Sequence, residues 1–211
     1  MVWHFPLLNI RGLPYDYSFP RIKDDHPGAF GAIRKFDVHT GVDLYCKKRT
    51  PICAVEDGEV VEIEIFTGPR AESPWWHETH AILVEGESGV VCYGEVDIPR
   101  VLKPRIKTIR EEGDLGIQDI LDLNKHGLHQ SGVPYIKIGQ KVKRGELITW
   151  AKQVLVKDKG RPMCMLHFEL YKPGTRETVW WRKGEPRPQE LLDPSEKLIE
   201  ALKIAQESLN A

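Results

Sequence analysis

Apolar and polar residues alternate along much of this chain with a period of two, the pattern of half-buried strands. Glu59-Val60-Val61-Glu62-Ile63-Glu64-Ile65 alternates in part and is rich in β-branched residues. Asp37 to Ile65 as a whole reads as three strands, the last two joined at the Asp57-Gly58 turn. Gly68, Pro69 and Pro74 then break the pattern into a loop. Ala81-Ile82-Leu83-Val84-Glu85 and Val90 to Tyr93 are predicted to pair across a hairpin turn over residues 86–89, and two more short strands are expected around a tight glycine turn within Gly139 to Ile148. In Met165-Leu166-His167-Phe168-Glu169-Leu170, alternation puts Leu166, Phe168 and Leu170 on a buried face and Met165, His167 and Glu169 on the other.

A helical period holds in two places. Ile109 to Leu123 carries a stripe of Ile117, Ile120, Leu121 and Leu123. Near the C-terminus, Asp193 suits an N-cap, Pro194 the first helical position, and Glu196 completes a capping box. Leu198, Leu202, Ala205 and Leu209 follow on one face, widened by Ile199, so this helix is expected to pack on the sheet. The predicted architecture is mainly β: an antiparallel sheet core, an inserted segment and a C-terminal helix. Its parts are an arm over residues 1–27, broken up by Pro6, Pro14, Pro20 and Pro27, a β domain over 28–195 with an insertion at about 98–134, and a helix over 196–211.

Candidate chemistry centres on His39 and Asp43, which flank Gly41. In an extended backbone residues 39, 41 and 43 share a face, and glycine leaves the gap between imidazole and carboxylate open. That pair is a common one for zinc, which takes three or four protein ligands. His167, aimed from a strand with its neighbours buried beneath it, is the best third candidate.

These pieces, in their order, resemble the lysostaphin/LytM-type zinc metallopeptidases, which cleave peptide cross-bridges in bacterial peptidoglycan. The resemblance spans roughly residues 28 to 195. It rests on Phe30-Gly31 and Arg34, on His39-Thr40-Gly41-Val42-Asp43, and on Thr50-Pro51 with Ala54-Val55-Glu56-Asp57-Gly58. It continues through Ile138-Gly139-Gln140-Lys141-Val142-Lys143-Arg144-Gly145-Glu146, Leu166-His167-Phe168-Glu169 and Asp193-Pro194. It implies an antiparallel sheet with an open groove, a zinc ion held by His39, Asp43 and His167, and peptidoglycan peptides or another peptide or glycan as partner. The chain also departs from the family. Where the family carries two catalytic histidines, this chain has Met165 and, after Val91-Cys92-Tyr93-Gly94, Glu95. Glu95 is then either a general base or a fourth ligand that closes the tetrahedron. Three functional classes stay open: a zinc metallohydrolase with altered machinery, an inactive relative that binds peptide, glycan or protein, and a β domain without metal.

Other features sharpen this picture only a little. His77 and His80 have the spacing of a ligand pair, but their segment runs into a strand; His80 is an accessory candidate, and the plain alternative is a solvated loop. His126 and His129 lie in a glycine-containing stretch of the insertion, from which either can replace a missing imidazole if the insertion folds over the groove. Trp75-Trp76 and Trp180-Trp181 suit a binding rim or simple packing. Cys46 and Cys53 flank a turn and are either bonded or free, while alternation points Cys164 away from His167. No Met-Lys-Met occurs, which argues against a carrier domain. With 30 basic and 31 acidic residues, the balance argues against a nucleic-acid partner. No apolar run is long enough to span a bilayer, and Met1 to Pro6 lacks the pattern of a signal peptide. A cytoplasmic protein, a phage-type lysin and a chain whose leader has been removed all stay open.

Overall fold

The computed structural model describes residues 2–7, 26–98, 135–158 and 163–210. The expected insertion, with His126 and His129, lies outside the described residues. Among those described are nine strands: β1 (Val42–Tyr45), β2 (Pro51–Cys53), β3 (Gly58–Thr67), β4 (Thr79–Gly86), β5 (Gly89–Asp97), β6 (Lys141–Val142), β7 (Leu147–Ala151), β8 (Met165–Tyr171) and β9 (Leu191–Leu192). They make one antiparallel sheet in the order β1-β8-β5-β4-β3-β6; β7 pairs with β5 and β2, and β9 with β8. Among the described residues one α-helix, α1 (Ser195–Asn210), follows, and a short 3-10 turn (Pro69–Ala71) lies between β3 and β4.

The two-residue period is what packs this sheet. Ile82 and Val84 of β4, Val91 and Tyr93 of β5, and Leu166, Phe168 and Leu170 of β8 enter the main core. The intervening Ala81, Leu83, Val90 and Cys92 enter a second cluster on the other face, with Tyr171 and Leu191. A sheet buried on both faces holds its strands rigidly, and it is on the second face that β8 presents His167 and Glu169. Residues 2–7 act as an arm on the main core. Trp3, Phe5 and Leu7 are buried, Leu7 bridges Ile52, and His4 N–H donates to the Val55 carbonyl.

The cap on α1 forms as expected, with the Ser195 amide donating to Asp193 Oδ1 at 2.9 Å. Its packed stripe differs from the expected one. Leu198 and Ala201 are buried and Leu202 and Ala205 partly so, whereas Ile199 is turned outward. Ala201 joins the stripe because it lies three residues after Leu198, on the same helical face, whereas Ile199 is turned away from it. No helix among the described residues is long and apolar enough to cross a membrane.

Candidate metal centre

Position 43 lies on β1 directly opposite position 167 on β8. This places Asp43 Oδ1 2.9 Å from His167 Nδ1. His39, just ahead of β1, brings Nε2 to 3.1 Å from Asp43 Oδ1 and 3.1 Å from His167 Nδ1. The three donor atoms form a triangle with edges near those of a zinc tetrahedron, whose donors stand about 3.3 Å apart for bonds of ~2.0–2.1 Å. All three side chains are buried.

Each side chain is also held from behind. His39 Nδ1 lies 2.9 Å from the Ala29 carbonyl, which leaves Nε2 as the free donor. His167 Nε2 lies 3.1 Å from Glu169 Oε1, which leaves Nδ1. Arg34 donates to Asp43 Oδ2 at 3.1 Å and is itself fixed by the Pro27 carbonyl, which leaves Oδ1. Histidines backed by a carbonyl or carboxylate are the usual supporting arrangement of a metal centre. The donor set, its spacing and its support therefore fit zinc.

Electrostatics favour a cation in the same place. Burial alone would raise the pKa of Asp43, but the two histidines outweigh it and hold the carboxyl well below its ordinary range. Burial lowers His39. Burial acts the same way on His167, yet Glu169 and Asp43 on either side push it up to about 10. Two ionised carboxylates thus flank one ring, and a positive charge between them balances both.

Glu95 sits at an irregularity in β5. Between the pairs Ile82↔Tyr93 and His80↔Val96, β5 has one residue more than β4, which makes a β-bulge at Gly94–Glu95. At this point β5 stops pairing with β8, at Gly94↔His167, and starts pairing with β7, at Val96↔Ala151. Glu95 adopts φ 63°, a left-handed conformation unusual for a residue with a side chain. A Cβ at Gly94 would stand 2.8 Å from the Phe66 ring, so the bulge needs glycine there. The bulge buries Glu95, and its Oε2 has no hydrogen-bond partner among the described residues. Burial first, and then the charge of Asp43, push its carboxyl up to about 8. Glu95 is not among the three residues whose donor atoms lie within 4.8 Å of one another.

These groups open onto a cavity of about 260 Å³. His39, His167, Glu95 and Glu169 line it together with Phe66, Trp76, Trp180 and Trp181. Of the tryptophan pairs, Trp76 and Trp180-Trp181 line the cavity and Trp75 does not. Met165, on the same face of β8 as His167, is buried and does not line the cavity either. His80 lies on β4 outside the lining, with Nδ1 buried and without a partner among the described residues, and His77 is exposed. Cys164 enters the main core, opposite the face of His167, and all four cysteines are free thiols. The roles of Arg34 and Glu169 were not drawn from the sequence. Arg34 offered no signal of its partner, whereas the alternation of β8 already set Glu169 beside His167.

No family model and no curated protein matches the chain. Among solved structures it is similar to Helicobacter pylori Csd3, at 13% identity and a TM-score of 0.40, covering 100% of this chain and 42% of that one. It is also similar to a presumptive peptidase M23 from Pseudomonas aeruginosa, at 14% identity and a TM-score of 0.37, covering 89% of this chain and 52% of that one. The chain thus spans about half the length of these structures or less.

Proposed function

We propose that this chain is a zinc-binding hydrolase of peptide bonds, of the kind that acts on peptidoglycan peptides, with Glu95 as its proton carrier. The observation that carries this reading is the convergence of His39 Nε2, Asp43 Oδ1 and His167 Nδ1, each backed by a second hydrogen bond that frees that atom. Zinc bound there would polarise a carbonyl and lower the pKa of a water to ~7. Glu95 supplies the acid–base part. In the metal-free chain burial and then Asp43 raise its carboxyl to about 8; beside a zinc ion it would give that proton up and be a carboxylate able to accept one from water, as a general base must. Its unpartnered Oε2 and strained backbone belong to a group held for use rather than for stability. Because Glu95 stands apart from the compact donor set, the role of base is favoured over that of fourth ligand. Phe66, Trp76, Trp180 and Trp181 give the cavity flat apolar walls that exclude water and can lie along a peptide or a sugar ring.

One observation favours a second reading, in which the same groove binds a peptide or glycan without cleaving it. Met165 stands where the family has a catalytic imidazole, and a buried thioether can neither donate a proton nor hold a developing charge. Metal content and turnover together separate the two. We expect about one zinc per chain, lost in His39→Ala, and hydrolysis of glycyl peptides or peptidoglycan fragments that Glu95→Gln abolishes while keeping the metal. Zinc without turnover on either substrate would leave the binding module. A chain that takes up no zinc would overturn the hydrolase and leave a β-sheet binding module without metal.

A further inference from the structure

We propose that Glu169 is a positioning residue, which selects the ring nitrogen that His167 turns toward the metal, and that Tyr171 locks Glu169 in place from the cavity wall. The inference rests on the metal-binding reading above but assigns a distinct role to residues outside the donor set.

The ring of His167 is held at both nitrogens. Nδ1 faces Asp43 at 2.9 Å and Nε2 faces Glu169 Oε1 at 3.1 Å. Rotating the ring by half a turn would put a carbon in front of each carboxylate. Only one orientation therefore satisfies both, and it is the one that turns Nδ1 toward His39 Nε2. Without Glu169, no other hydrogen bond among the described residues reaches Nε2, and the ring is held only at Nδ1, by Asp43 and His39. Support of this kind, where a carboxylate receives the second N–H of a ligating histidine, fixes both ring orientation and ligand basicity.

Glu169 is itself held by further hydrogen bonds. Tyr171 donates its hydroxyl proton to Oε2 at 2.8 Å, and the side chain of Thr40 donates as well. Both Glu169 and Tyr171 are buried to within 1% of full burial. The Tyr171 oxygen in turn accepts the Val179 amide at 3.2 Å. Val179 belongs to the wall that also carries Trp180 and Trp181. A line of hydrogen bonds thus runs from the cavity wall through Tyr171 and Glu169 to Nε2 of His167, the ring nitrogen turned away from Asp43 and His39.

The test compares zinc affinity, by competition with a chromophoric chelator, in the parent chain, Glu169→Ala, Glu169→Gln and Tyr171→Phe, with the melting temperature of each metal-free protein. Glu169→Ala should weaken zinc binding tenfold or more. Glu169→Gln keeps an oxygen to accept from Nε2 and should recover most of that loss; Tyr171→Phe should fall between Glu169→Gln and Glu169→Ala. A merely structural role would lower the melting temperatures and leave the affinities of the folded variants alike. Affinities within about twofold of the parent in all three variants, or a loss in Glu169→Gln equal to that in Glu169→Ala, would overturn the proposal. Should Glu169→Ala not fold, Glu169→Gln and Tyr171→Phe still carry the comparison. Imidazole proton spectra of the metal-free chain separate this inference from the reading beneath it. A protected Nε2–H signal from His167, lost in Glu169→Ala or Tyr171→Phe, would uphold the positioning role even if the parent bound no zinc. Its absence from the parent would overturn it.

Discussion

Gly41 lies against the ring of His167: a Cβ at position 41 would stand 3.0 Å from His167 Nε2, and 2.5 Å from the Phe168 carbonyl oxygen. The bare backbone at 41 is what lets the start of β1 close onto β8. Gly41→Ala should therefore cost about 1–3 kcal/mol, as overpacking does in a tight site, and weaken zinc binding through the displaced His39 and His167. Urea denaturation of the metal-free protein and a zinc titration check the two effects; unchanged values in both would show that the strands yield without strain.

The same glycine shows how far the site was legible in the residues alone. Gly41 was expected to leave space for an ion between His39 and Asp43. It does separate a converging pair, but the space it leaves is filled by β8, and regular strand begins only at Val42. Asp43 and His167 were legible because they lie on β1 and β8, where a two-residue period fixes which side chains share a face; His39 reaches them from ahead of β1, where that period does not yet hold. The strands were legible for the same reason. Glu95 could be named as a candidate, but not its bulge. A left-handed backbone at a glutamate has no local signature; it exists because β5 changes partners from β8 to β7 at that point. Ile199 shows the opposite error, since an apolar residue near a helical stripe need not lie on it.

Zinc binding should release protons. At pH 7 the metal-free His167 carries one, because its pKa is raised to about 10, and a ligating imidazole must give it up. Glu95, raised to about 8, holds a second that a nearby cation would expel. Calorimetric titration in two buffers of different ionisation heat should give between one and two protons per zinc, and Glu95→Gln should remove the part above one. Release of none would mean that His167 is neutral beforehand or is not a ligand.

Glu95 and His167 should make the metal-free chain lose stability as pH rises, opposed up to about 6.5 by His39 and His80, which burial lowers. Glu95 has an ordinary value of 4.5 and a folded value of about 8, so between these the folded chain keeps a proton that the unfolded chain gives up. Stability then falls with pH over that window, by at most about 1.4 kcal/mol per unit from this group. His167 acts with the same sign from 6.5 to about 10: its contribution is complete below 6.5 and is lost toward 10. Denaturation midpoints at pH 5 and pH 8, measured with chelator present, should show the fall in the parent and a smaller one in Glu95→Gln. Equal falls would remove Glu95 as the cause.

The cysteines should be unreactive in the folded protein. Burial pushes the Cys53 thiol up to about 11 and Cys92 well above its ordinary value. Cys46 and Cys164 are buried beside each other, where the Cys46 amide donates to the Cys164 carbonyl and the Cys164 thiol to the Lys152 carbonyl. A disulfide reagent should label the native chain at least about a hundredfold more slowly than the unfolded one, and denaturation should release all four thiols. Rapid labelling of any one thiol would identify a segment that opens.

Asp43 and His167 face each other across neighbouring strands yet lie 124 positions apart in the chain. A contact so distant in sequence forms late, because its loop-closure entropy must be spent before the contact rewards it, and β8 must be seated between β1 and β5. An ion cannot nucleate such a fold. It arrives at a finished sheet, speeding nothing on the way in and slowing only escape. Added zinc should lengthen the lifetime of the native state while leaving its rate of formation unchanged.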